Sequence, residues 1–259
     1  MDSSRRDSTR ILPAARQYWT DIASQRGSIA ATRGLALAVW EFLRDSTPAR
    51  LRSRFGDADY DWDYRVNTTS GAVGWRERLL GSFTSGYQPT DAPAFHEMLG
   101  TLEQSTELDF TELTFIDLGS GKGRTLLMAS EYPFRRVAGV ELLPELNRVA
   151  EENLRKFSSD RRQCKDVETI CADARDYVFP AEPLVVYLFH PLPEAGLEQV
   201  AQNLARSLRE SPRDVIVIYH NPLLEPVLAR CAALRKTDGT TQYSVYASEA
   251  TTRVAAVSK

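Results

Sequence analysis

The sequence predicts a doubly wound α/β domain built on a mostly parallel seven-stranded sheet, preceded by a helical N-terminal extension. Three observations carry this expectation. From about residue 112 onward, short apolar runs rich in β-branched residues alternate with stretches whose apolar positions recur at helical spacing. Among these runs Val215 to Tyr219 is continuous, as expected of a strand buried on both faces of a parallel sheet. One of them ends in an acidic residue and opens into a turn with glycines at alternate positions, Gly119, Gly121 and Gly123, and a helical stretch follows at once.

Residues 1–85 read as a helical cap followed by an aromatic-rich loop, and residues 86–259 as the α/β domain. In the first part Leu35, Val39, Phe42 and Leu43 share one face at helical spacing, which predicts a packed amphipathic helix. From Phe55 to Ser85 this pattern gives way to turn formers and aromatics. Phe55, Tyr60, Trp62 and Tyr64 argue against disorder, because disordered segments are poor in such residues. Loops of this length in a domain are usually functional or disordered. Two arrangements remain open: a lid from Phe55 to Thr90 over the site, or a loop that packs its aromatics on the outer helices. Next, Asp91 is placed to cap a helix with Pro93 in its first turn and Phe95, Met98, Leu99 and Leu102 along one face.

Within the α/β part, the first strand runs into Asp117. A second, Val137 to Val140, ends in Glu141, and a third, Val167 to Cys171, is followed by Asp173 and Ala174. The fourth, Leu184 to Phe189, runs into His190 and Pro191, and the fifth spans Val215 to Tyr219. Helices are expected over Pro144 to Phe157, Glu194 to Arg209 and Pro222 to Ala233. The chain closes on two strands, Leu234 to Thr237 and Gln242 to Ala247, with no helix between them. Ligands of such sheets bind beyond the carboxyl ends of the strands, where the strand order switches. That rule gathers Asp117, Glu141, Asp173, His190 and His220 on one edge.

Glycines in the turn remove side chains that would hold a ligand off the backbone, and they allow positive φ. The first amides of the following helix favour a carboxylate or phosphate. A phosphate-binding loop needs GxxxxGK followed by Ser or Thr, which Lys122 between two glycines does not supply. The dinucleotide fingerprint GxGxxG fails at Arg124. The stretch TFIDLGSGKGRT instead resembles motif I of class I S-adenosylmethionine (SAM) dependent methyltransferases, whose sheet is Rossmann-like. The resemblance implies that Asp117, Gly119, Ser120, Gly121 and Gly123 lie under the methionine moiety of SAM. It further implies that Glu141 receives the ribose hydroxyls, and that Asp173 and Ala174 stand beside the adenine.

A second resemblance rests on Tyr87, Pro89 and Thr90 (Y-x-P-T), then DLGSGKGR, then GVEL followed by Leu146. This order is similar to little-characterised bacterial methyltransferases and to the protein-lysine methyltransferases. The latter include the Dot1-like histone enzymes and mitochondrial enzymes carrying D-L-G-S-G-D-G-R. In those relatives the segment before the first strand closes over the cofactor, so Tyr87 and Thr90 are expected near SAM. The sequence departs from these relatives at Lys122, where they often carry an acid. It departs again in FHPL after the fourth strand, where many N-methyltransferases carry Asn or Asp, two prolines and an aromatic. That second departure argues against amine methylation, whereas the resemblance slightly favours a protein lysine over a small molecule as acceptor.

Composition bounds the remaining possibilities. At 259 residues with 42% hydrophobic and 26% charged content, the chain reads as an ordinary globular protein. A net charge of −3 gives no reason to expect nonspecific nucleic-acid binding. Ten arginines and no lysine in the first sixty residues fit a solvated helix surface. The start lacks the continuous apolar region of a signal peptide, and the run Leu35 to Leu43 is too short to span a bilayer. Cys164, Cys171 and Cys231 suit neither a disulfide framework nor a metal site, so no metal is expected and the cytoplasm is the expected compartment.

The sulfonium of SAM already activates the methyl group, so alignment of nucleophile, carbon and leaving sulfur supplies most of the catalysis, roughly 7–11 kcal/mol. A base is needed where the acceptor is protonated. His190 is the candidate base, with Tyr187 as its expected companion on the same sheet face; a strand-end histidine bonded to a loop is the plainer alternative. His220 is a second candidate, and His96, on a helix, reads as structural. Two other functions stay open at this level: a binding module that keeps the SAM pocket without transfer, and a nicotinamide-dependent oxidoreductase, which Arg124 disfavours.

Overall fold

Each apolar run forms a strand in the computed structural model, which describes residues 15–16, 19–20, 22–24, 27–45, 58–68, 89–105, 108–189 and 192–251. In chain order the strands are β1 (Thr114–Leu118), β2 (Arg136–Glu141), β3 (Val167–Cys171), β4 (Leu184–Phe189), β5 (Val215–His220), β6 (Leu234–Gly239) and β7 (Tyr243–Ser248). They lie side by side as β3-β2-β1-β4-β5-β7-β6. β1 to β5 pair in parallel, and the β6-β7 hairpin joins β5 antiparallel. Strand order reverses between β1 and β4, which opens a crevice at the carboxyl edge.

The helices are α1 (Ser28–Asp45), α2 (Ala58–Tyr64), α3 (Ala92–Ser105), α4 (Arg124–Ala129), α5 (Pro144–Lys156), α6 (Glu194–Glu210) and α7 (Glu225–Ala229). Alternate residues of each strand feed opposite layers. Ile116, Leu118, Val186, Leu188 and Val217 pack with Leu197, Val200 and Leu204 of α6 and Val227 of α7. Phe115, Val185, Tyr187, Ile216 and Ile218 pack with Phe95 and Leu99 of α3 and Leu126 of α4. Full burial of each such side chain contributes about 1.5–3 kcal/mol. Asp91 caps α3 as expected, its carboxylate accepting from the Ala94 amide at 3.1 Å.

The chain divides into two units, Met1–Asp59 with Thr69–Pro89 and Tyr60–Thr68 with Thr90–Lys259. In the first, α1 buries Ala31, but Val39 is 38% and Trp40 62% exposed, so the expected face is packed in part. The side chains of Phe42 and Leu43 lie outside the described residues. Two elements differ from expectation. The stretch expected to be irregular contains α2, in which Tyr60 and Tyr64, one turn apart, meet as a tilted pair at 4.8 Å and Tyr64 meets Phe157 at 5.1 Å. α7 is shorter than Pro222 to Ala233, because Asn221 takes φ +50° and turn bonds from Leu223 to Asn221 and from Glu225 to Pro222 precede it. Among the described residues no helix is long and apolar enough to cross a membrane.

Candidate functional site

The glycine turn after β1 is pinned to the end of β2. Gly119, Gly121 and Gly123 adopt φ of +88°, +55° and +80°. The amides of Gly119 and Ser120 both donate to the Val140 carbonyl, at 2.8 and 3.1 Å. The Gly121 amide donates to one oxygen of Glu141 at 2.8 Å, and the Leu143 amide to the other at 2.8 Å. Glu141 is buried; burial pushes its carboxyl above the usual range against the pull of these backbone donors. Gly139 in β2 lies directly beneath. A Cβ there would stand 2.6 Å from both the Leu126 side chain and the Ser120 hydroxyl, so the turn can approach β2 because that position is glycine. Sequence reasoning missed Gly139, although the run AGVE carries it.

Asp117 is buried beside the turn and accepts from the Thr125 hydroxyl. Burial pushes its carboxyl up to about 7; the Thr125 bond opposes the rise and the Glu141 charge adds to it. Two buried carboxyl groups therefore flank the turn, an arrangement that favours a cationic ligand. The Ser120 hydroxyl is turned inward toward Gly139 and has no hydrogen-bond partner among the described residues. At the end of β3, Asp173 caps the short 3₁₀ turn Ala174–Asp176 through the Arg175 amide, and it pairs with the Arg175 guanidinium at 2.6 Å. Burial would raise the Asp173 carboxyl, but the Arg175 bonds and charge together hold it below the usual range. Ala174 is buried next to it.

Lys122 and Arg124, the two residues that break the phosphate-loop and dinucleotide patterns, are 1% and 2% exposed. Lys122 donates to the Asn67 side chain at 3.1 Å. Arg124 donates to the Thr68 hydroxyl at 2.7 Å and to the Thr90 carbonyl at 3.4 Å, lies 3.5 Å from Asp61 and sits 4.7 Å over the Tyr60 ring. Asn153 of α5 closes the frame, bonding the Asn67 amide and carbonyl and the Lys122 carbonyl at 2.8–2.9 Å. The turn is thus held by a segment some sixty residues earlier in the chain, a partnership invisible in local sequence.

On β4 the Tyr187 phenol is buried, 3.1 Å from the Thr90 hydroxyl and 2.8 Å from Nδ1 of His220 on β5. Burial holds the phenol well above its usual range, the Thr90 bond pulling against this and the Asp117 charge adding to it. The described partner of Tyr187 across the sheet is therefore His220. His190 and Tyr87 lie outside the described residues. His96 bonds the Tyr132 hydroxyl at 3.0 Å and stands 3.7 Å from Glu131, away from the glycine turn.

A parallel sheet closed by an antiparallel hairpin, with a glycine turn at the strand-order switch, defines a doubly wound α/β fold whose ligands bind at that switch. Residues 115–211 match the family described as Methyltransferase domain. Among solved structures, an RNA methyltransferase from Salinibacter ruber in complex with S-adenosyl-L-homocysteine is similar at 25% identity and TM-score 0.41, over 62% of this chain and 92% of that one. A putative methyltransferase, yhhF from Escherichia coli, is similar at 16% identity and TM-score 0.45, over 63% and 89%. No curated protein matches the chain. Over residues 115–211 the chain carries a SAM-dependent methyltransferase domain.

Proposed function

We propose that this methyltransferase modifies the side-chain amine of a protein lysine, and that its donor site is the turn between β1 and α4. The observation that carries the acceptor reading is the position of Thr90. This last residue of the Y-x-P-T segment, shared with lysine-methylating relatives, is buried on Tyr187 near the carboxyl end of β4, beside the strand-order switch. In the donor site, Gly119 to Gly123 would take the methionine moiety, with Asp117 beneath it. Glu141 would take the ribose, since a carboxylate has about four acceptor sites and the two backbone donors leave room. Asp173 and Ala174 would border the adenine, Asp173 sharing its oxygens with Arg175.

Bound SAM supplies the electrophilic methyl; the protein's own share is to align the amine with it and to keep the amine unprotonated. A lysine with pKa near 10.4 is neutral in about one molecule per thousand at physiological pH, so deprotonation costs about 4 kcal/mol unless the site lowers that pKa. The test is transfer of labelled methyl from SAM into cell extract, followed by fractionation. Label in protein that survives acid hydrolysis as methyl-lysine is the expected result. Label confined to RNA or to small molecules overturns the acceptor assignment.

Glu141→Ala tests the donor site separately. Loss of charge-assisted ribose bonds worth about 1.5–3 kcal/mol is expected to weaken SAM and S-adenosylhomocysteine alike, on the order of 10 to 150-fold by titration calorimetry. Methylthioadenosine, which keeps the ribose, is expected to weaken by the same factor. Unchanged affinity would place Glu141 outside the pocket.

A further inference from the structure

If the acceptor is an amine, as proposed above, a proton must leave it, and the sheet edge next to β4 holds a group built to receive one. His220 ends β5 directly opposite Phe189, and its imidazole stacks on that ring with centroids 4.2 Å apart and planes 15° from parallel. Its Nδ1 is 2.8 Å from the Tyr187 hydroxyl, which is itself 3.1 Å from the Thr90 hydroxyl. Tyr187 and Thr90 are buried and His220 is half-buried. No hydrogen bond joins Nε2 to another described residue. One nitrogen is thus anchored through a buried relay, and the other is presented at the edge where ligands of such sheets bind.

We propose that His220 is the base of the methyl transfer, accepting the acceptor's proton at Nε2, with Tyr187 and Thr90 as positioning residues that fix its tautomer. In this arrangement Nδ1–H donates to the phenol oxygen, the phenol donates to the Thr90 hydroxyl, and Nε2 keeps its lone pair. The acceptor ammonium gives a proton to Nε2, which leaves a neutral amine and an imidazolium. The amine's lone pair then forms the new N–C bond as the C–S bond breaks, and that bond's electron pair stays on sulfur as the neutral thioether. The imidazolium returns its proton to solvent. Among the described residues, the titratable groups facing His220 are Tyr187 on β4, Tyr243 directly across on β7 and Asp91 ahead of α3. Burial lowers the imidazole below its usual range, against the Asp91 charge, so it is neutral at physiological pH. An ordinary imidazole lies about four pK units below a free lysine, and the burial of His220 widens that gap. An acceptor amine desolvated in the site would have its own pKa lowered, which narrows the gap from the other side.

The relay could also run the other way, with Tyr187 donating to Nδ1 and Nε2 carrying the hydrogen, and the two directions are distinguishable. In the full chain labelled with ¹⁵N-histidine and saturated with S-adenosylhomocysteine, His220 (assigned by H220Q) is expected as the Nδ1–H tautomer, titrating below pH 6.5. Tyr187→Phe is expected to shift both tautomer and midpoint. In the labelled-methyl assay the wild-type rate should fall as pH drops through that midpoint, because the base must be neutral. His220→Gln should lose that acid limb and about a hundredfold in rate, while S-adenosylhomocysteine affinity stays within twofold. An Nε2–H tautomer overturns the proposal whatever the acceptor is. So does a H220Q rate within threefold of wild type. The chemical fraction that takes the label reports on the lysine assignment independently of either result.

Discussion

Gly121→Val is expected to abolish SAM binding while leaving a folded protein. Gly121 sits at φ +55° in the middle of the turn and is buried there, with its amide bonded to Glu141 at 2.8 Å. A β-branched residue in this left-handed region costs about 1–2 kcal/mol through Cβ and carbonyl crowding alone. That strain falls on a turn which Gly119, Ser120 and Gly121 attach to β2 by three backbone bonds, so the turn is expected to shift rather than the sheet. The valine side chain would also occupy the space assigned to the methionine moiety. Calorimetry with SAM and with S-adenosylhomocysteine should find affinity lowered more than a hundredfold. Far-UV circular dichroism should be unchanged, and the unfolding midpoint should drop by a few degrees. A variant that binds SAM within threefold of wild type would remove the turn from the donor site, and Glu141 with it.

What could be read from the sequence was whatever is decided within a few residues. β3 and β4 have their expected ends at Val167–Cys171 and Leu184–Phe189, β4 because it is a continuous apolar run between Pro183 and His190. α3 begins where Asp91 can reach the Ala94 amide. The glycine turn was legible because positive φ at alternate positions leaves a compositional mark. α2 was not, because three aspartates alternating with its aromatics imitate a turn-rich loop, and the signal is the one-turn spacing of Tyr60 and Tyr64. The length of α7 was misjudged because the residues before it form turns that apolar periodicity does not report. Lys122 and Arg124 looked like failures of known patterns, since their partners Asn67, Thr68 and Asp61 are brought to them by the fold alone. Tyr187 was legible as a site residue, but its hydroxyl's partner on the neighbouring strand depends on the β4-β5 register.

Asp61→Ala is expected to give the larger loss of stability, because it removes a carboxylate from beside a buried guanidinium and from the Thr68 amide. Asp61 accepts from the Thr68 amide at 2.9 and 2.8 Å and from the Thr68 hydroxyl, and it lies 3.5 Å from the Arg124 guanidinium. Its removal takes the carboxylate at 3.5 Å away from the buried Arg124 guanidinium. Removing one partner of a buried pair costs about 3–5 kcal/mol, far more than the pair is worth against an apolar replacement. For a domain of this size that is a fall of roughly 6–20 °C in the unfolding midpoint. Asp61→Asn keeps an acceptor for Thr68 and removes the charge, so it should fall between wild type and alanine. Hydrogen exchange tells where the loss is felt. The amides of Val66, Asn67 and Thr68 donate to the Asp61 carbonyl, the Asn153 side chain and the Asp61 carboxylate. They are therefore expected to exchange slowly without any cofactor in the wild type and quickly in the alanine variant. Arg124 begins α4, so S-adenosylhomocysteine affinity should weaken together with that exchange. Normal affinity in a variant whose Val66 to Thr68 amides exchange freely would mean that this segment braces the fold without shaping the donor site.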